Sequence, residues 1–119
     1  MASENLVGGK VYLLNTLIVP VNFDKYPVVN IKLERISLEE AKQILANNSF
    51  VSAIGHEATA KLLSQILNIS IPANRISVFF EPGDTGIHFF LKTRLPEGKI
   101  LSEAELKTLD FWLVKSQVL

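Results

Sequence analysis

His56 is the side chain best suited to moving a proton, since an imidazole can give or take one near neutral pH. It stands in the run Ala53-Ile54-Gly55-His56-Glu57-Ala58-Thr59, which opens into Ala60-Lys61-Leu62-Leu63-Ser64-Gln65-Ile66-Leu67. Leu62, Leu63, Ile66 and Leu67 recur at helical spacing, so a helix is expected to begin at or just after His56. Gly55 would give the chain the freedom to turn sharply into it. The first turn of a helix has unpaired N–H groups and a positive partial charge, which together make an anion site. Phosphate and proton donor would then sit side by side. A lone Gly-His pair is more often an exposed polar feature without chemistry, so its weight depends on the rest of the chain.

The second chemical group is Thr93-Arg94-Leu95-Pro96-Glu97-Gly98-Lys99, two cations and a carboxylate in a loop between an expected strand and an expected helix. Arg94 can hold a phosphate bidentately, which a lysine does less well. With Gly98 it forms a candidate lid whose closure would expel water. The bland reading of the same residues is an exposed, solubilising turn.

Composition narrows the chemistry. With 119 residues, 48% of them hydrophobic and 20% charged, the chain fits one domain with a real core, and disorder is disfavoured. Lys+Arg and Asp+Glu are equal at 12 each, giving zero net charge. Grip on long nucleic acid needs a basic excess, so DNA binding is disfavoured, while a compact anionic ligand is allowed. Zero cysteines remove disulfides, thiolate ligands and a cysteine nucleophile together. The two histidines, His56 and His88, are too few for a histidine-rich metal site. Residues 1–10 carry no signal-peptide pattern, and the apolar runs fall short of the roughly 20 residues of a membrane span. A cytoplasmic protein without membrane contact is expected.

Along the chain, residues 1–9 read as a loose leader, and Lys10–Leu14 as a buried strand. Leu17–Val21 extends the apolar run but reaches an edge at Pro20. Val28–Ile36 alternates, with Val29, Ile31 and Leu33 on one face of a half-buried strand. Ser37-Leu38-Glu39-Glu40 is a capping box for a helix that stops at Asn47-Asn48. Arg75–Phe80 and Gly86–Lys92 read as two strands of a hairpin joined by Glu81-Pro82-Gly83-Asp84-Thr85. His88, beside Phe89 and Phe90, reads as a packed or rim residue. Ser102-Glu103-Ala104-Glu105 is a second capping box, for a short helix through Leu109, and Phe111–Val114 reads as a last strand. The expected fold is an α/β (α+β) layer, a mixed sheet of about five strands with helices mainly on one face. Such one-sided cover leaves part of the sheet free to meet a second copy, and the neutral, apolar composition favours this.

The motifs also follow one another as they do in a known family. Lys10-Val11-Tyr12-Leu13-Leu14-Asn15, Ala53-Ile54-Gly55-His56 with Thr59, Asn74-Arg75, and Arg94-Leu95 with Glu97-Gly98-Lys99, Leu101 and Ser102 resemble the viral type III anti-CRISPR ring nucleases and their cellular relatives. The likeness runs from Lys10 over nearly the whole chain. Ile-Gly-His and Arg-Leu-x-Glu-Gly-Lys are specific as a pair, though not singly. The resemblance implies a homodimer that binds cyclic tetra-adenylate across its two-fold axis and cuts it without metal or cofactor. A ribose 2′-hydroxyl attacks the adjacent phosphorus, leaving linear di-adenylate with a 2′,3′-cyclic phosphate. By the same resemblance His56 is the general acid, Arg94 neutralises the transition-state phosphate, and Glu97 orients the ribose or Arg94. Asn15, Gly55, Thr59, Arg75 and Lys99 fall on the ligand-binding side. Ile18 and Ala58 stand where the viral members carry hydroxyls. Two other classes remain: a binding module that sequesters the cyclic oligonucleotide uncut, and a dimer that acts only by protein contact. A DNA-binding regulator ranks last, for want of basic excess and of a helix-turn-helix pattern.

Overall fold

A computed structural model describes residues 9–92 and 109–119. Five strands and two helices follow in the order β1 (Val11–Leu14), β2 (Ile31–Ile36), α1 (Leu38–Asn47), β3 (Phe50–Ser52), α2 (Glu57–Leu67), β4 (Thr85–Leu91) and β5 (Phe111–Val118). The sheet order is β2-β5-β4-β1-β3. β1 pairs in parallel with both β3 and β4, while β5 runs antiparallel to β4 and β2. The sheet is therefore mixed, with its parallel part around β1.

Side chains alternate across the sheet. Val11, Leu13, Ile87, Phe89 and Leu113 point to one face, where Ala41, Ile44 and Leu45 of α1 and Ala60, Leu62, Leu63 and Leu67 of α2 close a core. Both helices lie on this side. The Ser37 Oγ accepts from the Glu40 N–H at 3.1 Å, capping α1. Lys115, only 8% exposed, reaches Glu34 at 3.6 Å and Glu40 at 3.5 Å, which ties α1 to the sheet beneath it.

Among the described residues no helix lies on the opposite face. Tyr12, Leu14 and Val118 are covered there by Val21, Val78 and Phe80, with Val19, Tyr26 and Val29 packed around them. The cover is two extended segments joined by the single parallel bridge Val21↔Phe80. This corrects three expectations. Leu17–Val21 is not a continuation of a strand. Arg75–Phe80 is extended but unpaired in the sheet, and Glu81–Thr85 is a turn (Asp84 N–H to Glu81 O, 2.9 Å; Gly83 φ +97°) leading into β4 rather than closing a hairpin. In β2, Ile31 and Leu33 are 37% and 53% exposed, so the described residues leave that face open. Phe50–Ser52 is a strand the sequence reading missed. The expected leader lies almost wholly outside the described residues, as does the helix expected from Ser102.

His88, in the middle of β4, is wholly buried. Burial pushes its pKa below the usual value, opposed by the Thr16 carbonyl. The unfolded chain therefore takes up its proton near pH 6.5, before the folded protein does, and stability falls as pH drops through that value. Between pH 7.5 and 5.5 this one group is expected to remove up to about 1.4 kcal/mol. Urea midpoints at the two pH values check it, with His88→Asn flattening the difference.

Candidate functional site

The groove of interest lies at the carboxyl ends of β1 and β3, where open α/β sheets commonly take ligands. It encloses about 310 Å³, and its lining includes Asn15, Thr16, Ile18, Ala53, Ile76 and Phe79. Asn15 follows the last residue of β1. Ala53 follows the last residue of β3, and its N–H bonds the Leu13 carbonyl at 2.8 Å, extending the ladder to the groove. A larger cavity, about 480 Å³, lies at the opposite edge of the sheet between Arg35, Ser37 and Phe111 and holds none of the candidate catalytic or ligand-binding residues.

From Ala53 the chain passes through Ile54 and Gly55 to His56, the N-cap of α2. Ile54 is fully buried and anchors this passage in the core. His56 is exposed, and its ring makes no capping bond. The Ala60 N–H takes the His56 carbonyl at 3.0 Å, so the N–H groups of Glu57, Ala58 and Thr59 lie in the unpaired first turn. α1 has its serine cap and α2 does not. Thr59 sits in that first turn, half-buried. The Glu57 carboxylate lies 3.7 Å from the Lys61 ammonium one turn on, a weak surface pair.

Gly55 does not have the role expected of it. It is not in the left-handed region, where Gly83 is the glycine with positive φ among the described residues. A Cβ on Gly55 would lie 3.5 Å from Cγ of Arg75. Its flat backbone is a bed for the arginine's stem, which sets an exposed guanidinium-bearing chain beside the start of α2. Asn74 makes that placement. Its backbone N–H bonds the Ile54 carbonyl and its Nδ2 the Ser52 carbonyl, both at 2.8 Å. Ser52 in turn donates to the Pro72 carbonyl at 2.7 Å. Asn74→Ala is expected to cost about 1–2 kcal/mol in a urea titration, since it leaves the Ser52 carbonyl without that donor.

Asn15, Gly55, His56, Thr59 and Arg75 are thus brought to one end of the sheet. Arg94, Glu97 and Lys99 lie outside the described residues. β4 runs parallel to β1 and carries the chain to Lys92 at that same end. Lys92 is pinned there by Asp110, through a backbone bond of 3.0 Å and an ion pair of 3.0 Å, and its ammonium lies 4.7 Å from the Trp112 ring centroid. Among the described residues no helix is long and apolar enough to cross a membrane, and no three His, Asp or Glu side chains gather as a metal site.

Comparison with known proteins adds a lineage. A family model described as STIV B116-like matches residues 11–113. Protein ORF117 of Acidianus two-tailed virus is 46% identical over 109 residues, covering 87% of this chain and 91% of its own. Protein 26 of Sulfolobus islandicus filamentous virus is 45% identical over 94 residues, 79% of this chain and 78% of its own. Among solved structures, B116 of Sulfolobus turreted icosahedral virus superposes with a TM-score of 0.77 at 24% identity, over 92% of this chain and 99% of that one. This likeness bears on the fold.

Proposed function

The chain belongs to the STIV B116-like family, and from its site geometry we propose that it is a metal-independent ring nuclease acting on cyclic tetra-adenylate. The observation that carries the reading is the uncapped start of α2. There an exposed His56 stands beside free first-turn N–H groups, with Arg75 laid against Gly55 and Asn15 on the wall of the groove at the same sheet end. Those N–H groups hold a phosphate. The ribose 2′-hydroxyl attacks the phosphorus and loses its proton to water, the bond to the 5′-oxygen breaks, and a protonated His56 gives its proton to that departing oxygen. Each cut leaves a 2′,3′-cyclic phosphate and a 5′-hydroxyl. Arg94 and Glu97, two and five residues beyond Lys92, supply charge neutralisation and ribose orientation. The protein works in the host cytoplasm and switches off the effectors that the cyclic nucleotide activates.

A two-fold symmetric ring suits a two-fold symmetric enzyme, in which each subunit offers one His56. The part of the sheet face opposite α1 and α2 that the described residues leave open offers Ile31, Leu33 and Trp112, the last 38% exposed, as the surface on which a second copy sits. Trp112→Glu is expected to convert a dimer to a monomer by light scattering, whereas an unchanged mass would move the interface elsewhere.

The deciding experiment is incubation with labelled cyclic tetra-adenylate in excess EDTA. Linear di-adenylate supports the nuclease. Tight binding with the ring intact makes the protein a sequestering module, and neither binding nor cleavage removes the nucleotide reading.

A further inference from the structure

One built polar group stands behind the groove, centred on His88. His88 leans along β4 over Gly86 to reach Ser116 on β5, the residue paired with Gly86. A Cβ on Gly86 would fall 2.5 Å from the His88 Nε2 and 2.6 Å from the Ser116 Oγ, so the glycine makes the room in which the ring lies. Nε2 is 2.7 Å from the Ser116 Oγ, and Nδ1 is 3.0 Å from the Thr16 carbonyl. The Phe80 ring stacks over the imidazole, at 6.3 Å between centroids and 18° between planes.

A carbonyl only accepts, so Nδ1 carries the proton and Nε2 accepts from the serine hydroxyl. The neutral ring is thereby satisfied at both nitrogens with its tautomer fixed. With His88 fully buried, a nucleophilic role for this Ser–His pair has no route to substrate. What the pair touches is the chain just past β1. Residues 15–17 leave the strand as bends, and the Thr16 carbonyl also takes the Ile18 N–H at 3.1 Å. Among the described residues, His88 is the one side chain that bonds the backbone of residues 15–18, and Asn15, Thr16 and Ile18 all line the groove.

We propose that His88 is a positioning residue for the nucleotide site, holding the Thr16 carbonyl through Nδ1–H and so fixing Asn15 and Ile18 on the groove wall. This rests on the ring-nuclease reading for its ligand, but the positioning itself can be read without ligand. His88→Asn keeps an amide nitrogen near the Nδ1 place, whereas His88→Gln reaches toward Ser116 and lacks that donor. Ser116→Ala spares the contact to Thr16. With cyclic tetra-adenylate, His88→Gln is expected to raise KM about tenfold with kcat little changed, corresponding to one lost hydrogen bond. His88→Asn and Ser116→Ala are expected to stay within about threefold of wild type, by the same scale. In the free protein, amide exchange at Leu17 and Ile18 should quicken in His88→Gln and not in the other two.

Equal KM values and equal exchange in all three variants would overturn the proposal. So would Ser116→Ala behaving like His88→Gln. If wild type neither binds nor cuts the ring, the ligand reading fails, and the exchange data alone then uphold or reject the positioning.

Discussion

His56→Ala is expected to lower the single-turnover rate of ring cleavage by about 10²–10⁴-fold, the usual contribution of a general acid, while binding of the ring weakens less than about tenfold. The asymmetry follows from where the side chain stands. The ring is exposed and makes no capping bond, so its loss leaves α2 and the first-turn N–H groups in place. In the proposed reaction those groups would bind the phosphate alike before and during the step, whereas a proton donor acts on charge that develops only as the 5′-oxygen departs. Folding stability should shift by no more than about 0.5 kcal/mol, as for an ordinary surface change. Rate and binding are to be measured on the same preparations, with thermal melts alongside. A fall in binding equal to the fall in rate would make His56 a ligand contact, and an unchanged rate would sink the acid assignment.

What the sequence made legible were the features set by local chemistry. Gly55-His56 before apolar residues at helical spacing marked the start of α2, and Ser37 with Glu40 marked that of α1; neither depends on a distant partner. What was misread depends on partners far along the chain. Phe50–Ser52 is too short to show a period and is a strand because Val11–Leu13 lies beside it. In Ser77–Phe80 burial alternates, with Val78 and Phe80 buried while Ser77 and Phe79 face out, but Ile76 is exposed. Period two reports an extended chain with one side covered, which a segment lying across a sheet satisfies as well as one hydrogen-bonded within it. Ile31 and Leu33 alternate toward a face that the described residues leave open. For the site, residue type pointed to His56, whereas the service of Asn74 and His88 needed the register that brings Ser52 and Ser116 to them. Gly86 two positions before a strand histidine was the one local signal of the second, since side chains two apart share a face.

Phe80→Ala is expected to be the most damaging single truncation on the side opposite α1 and α2, costing about 3–5 kcal/mol. Phe80 is fully buried, with its ring 5.0 Å from that of Tyr12 and stacked on His88. On the helix side a lost side chain leaves neighbours held by two hydrogen-bonded helices. Here the cover is extended chain, attached through the Phe80 N–H to the Pro20 carbonyl at 2.7 Å and the bridge to Val21. Alanine keeps that backbone bond but removes the apolar body that the cover closes around. It also opens a path for water to the His88 ring, so the loss of stability between pH 7.5 and 5.5 should shrink as the buried imidazole becomes easier to protonate. The same segment carries Ile76 and Phe79 on the groove wall and leads back to Arg75, so ring binding should weaken with it. Urea unfolding at both pH values measures both effects. A cost under about 1 kcal/mol would mean that the cover is held by its backbone bonds alone.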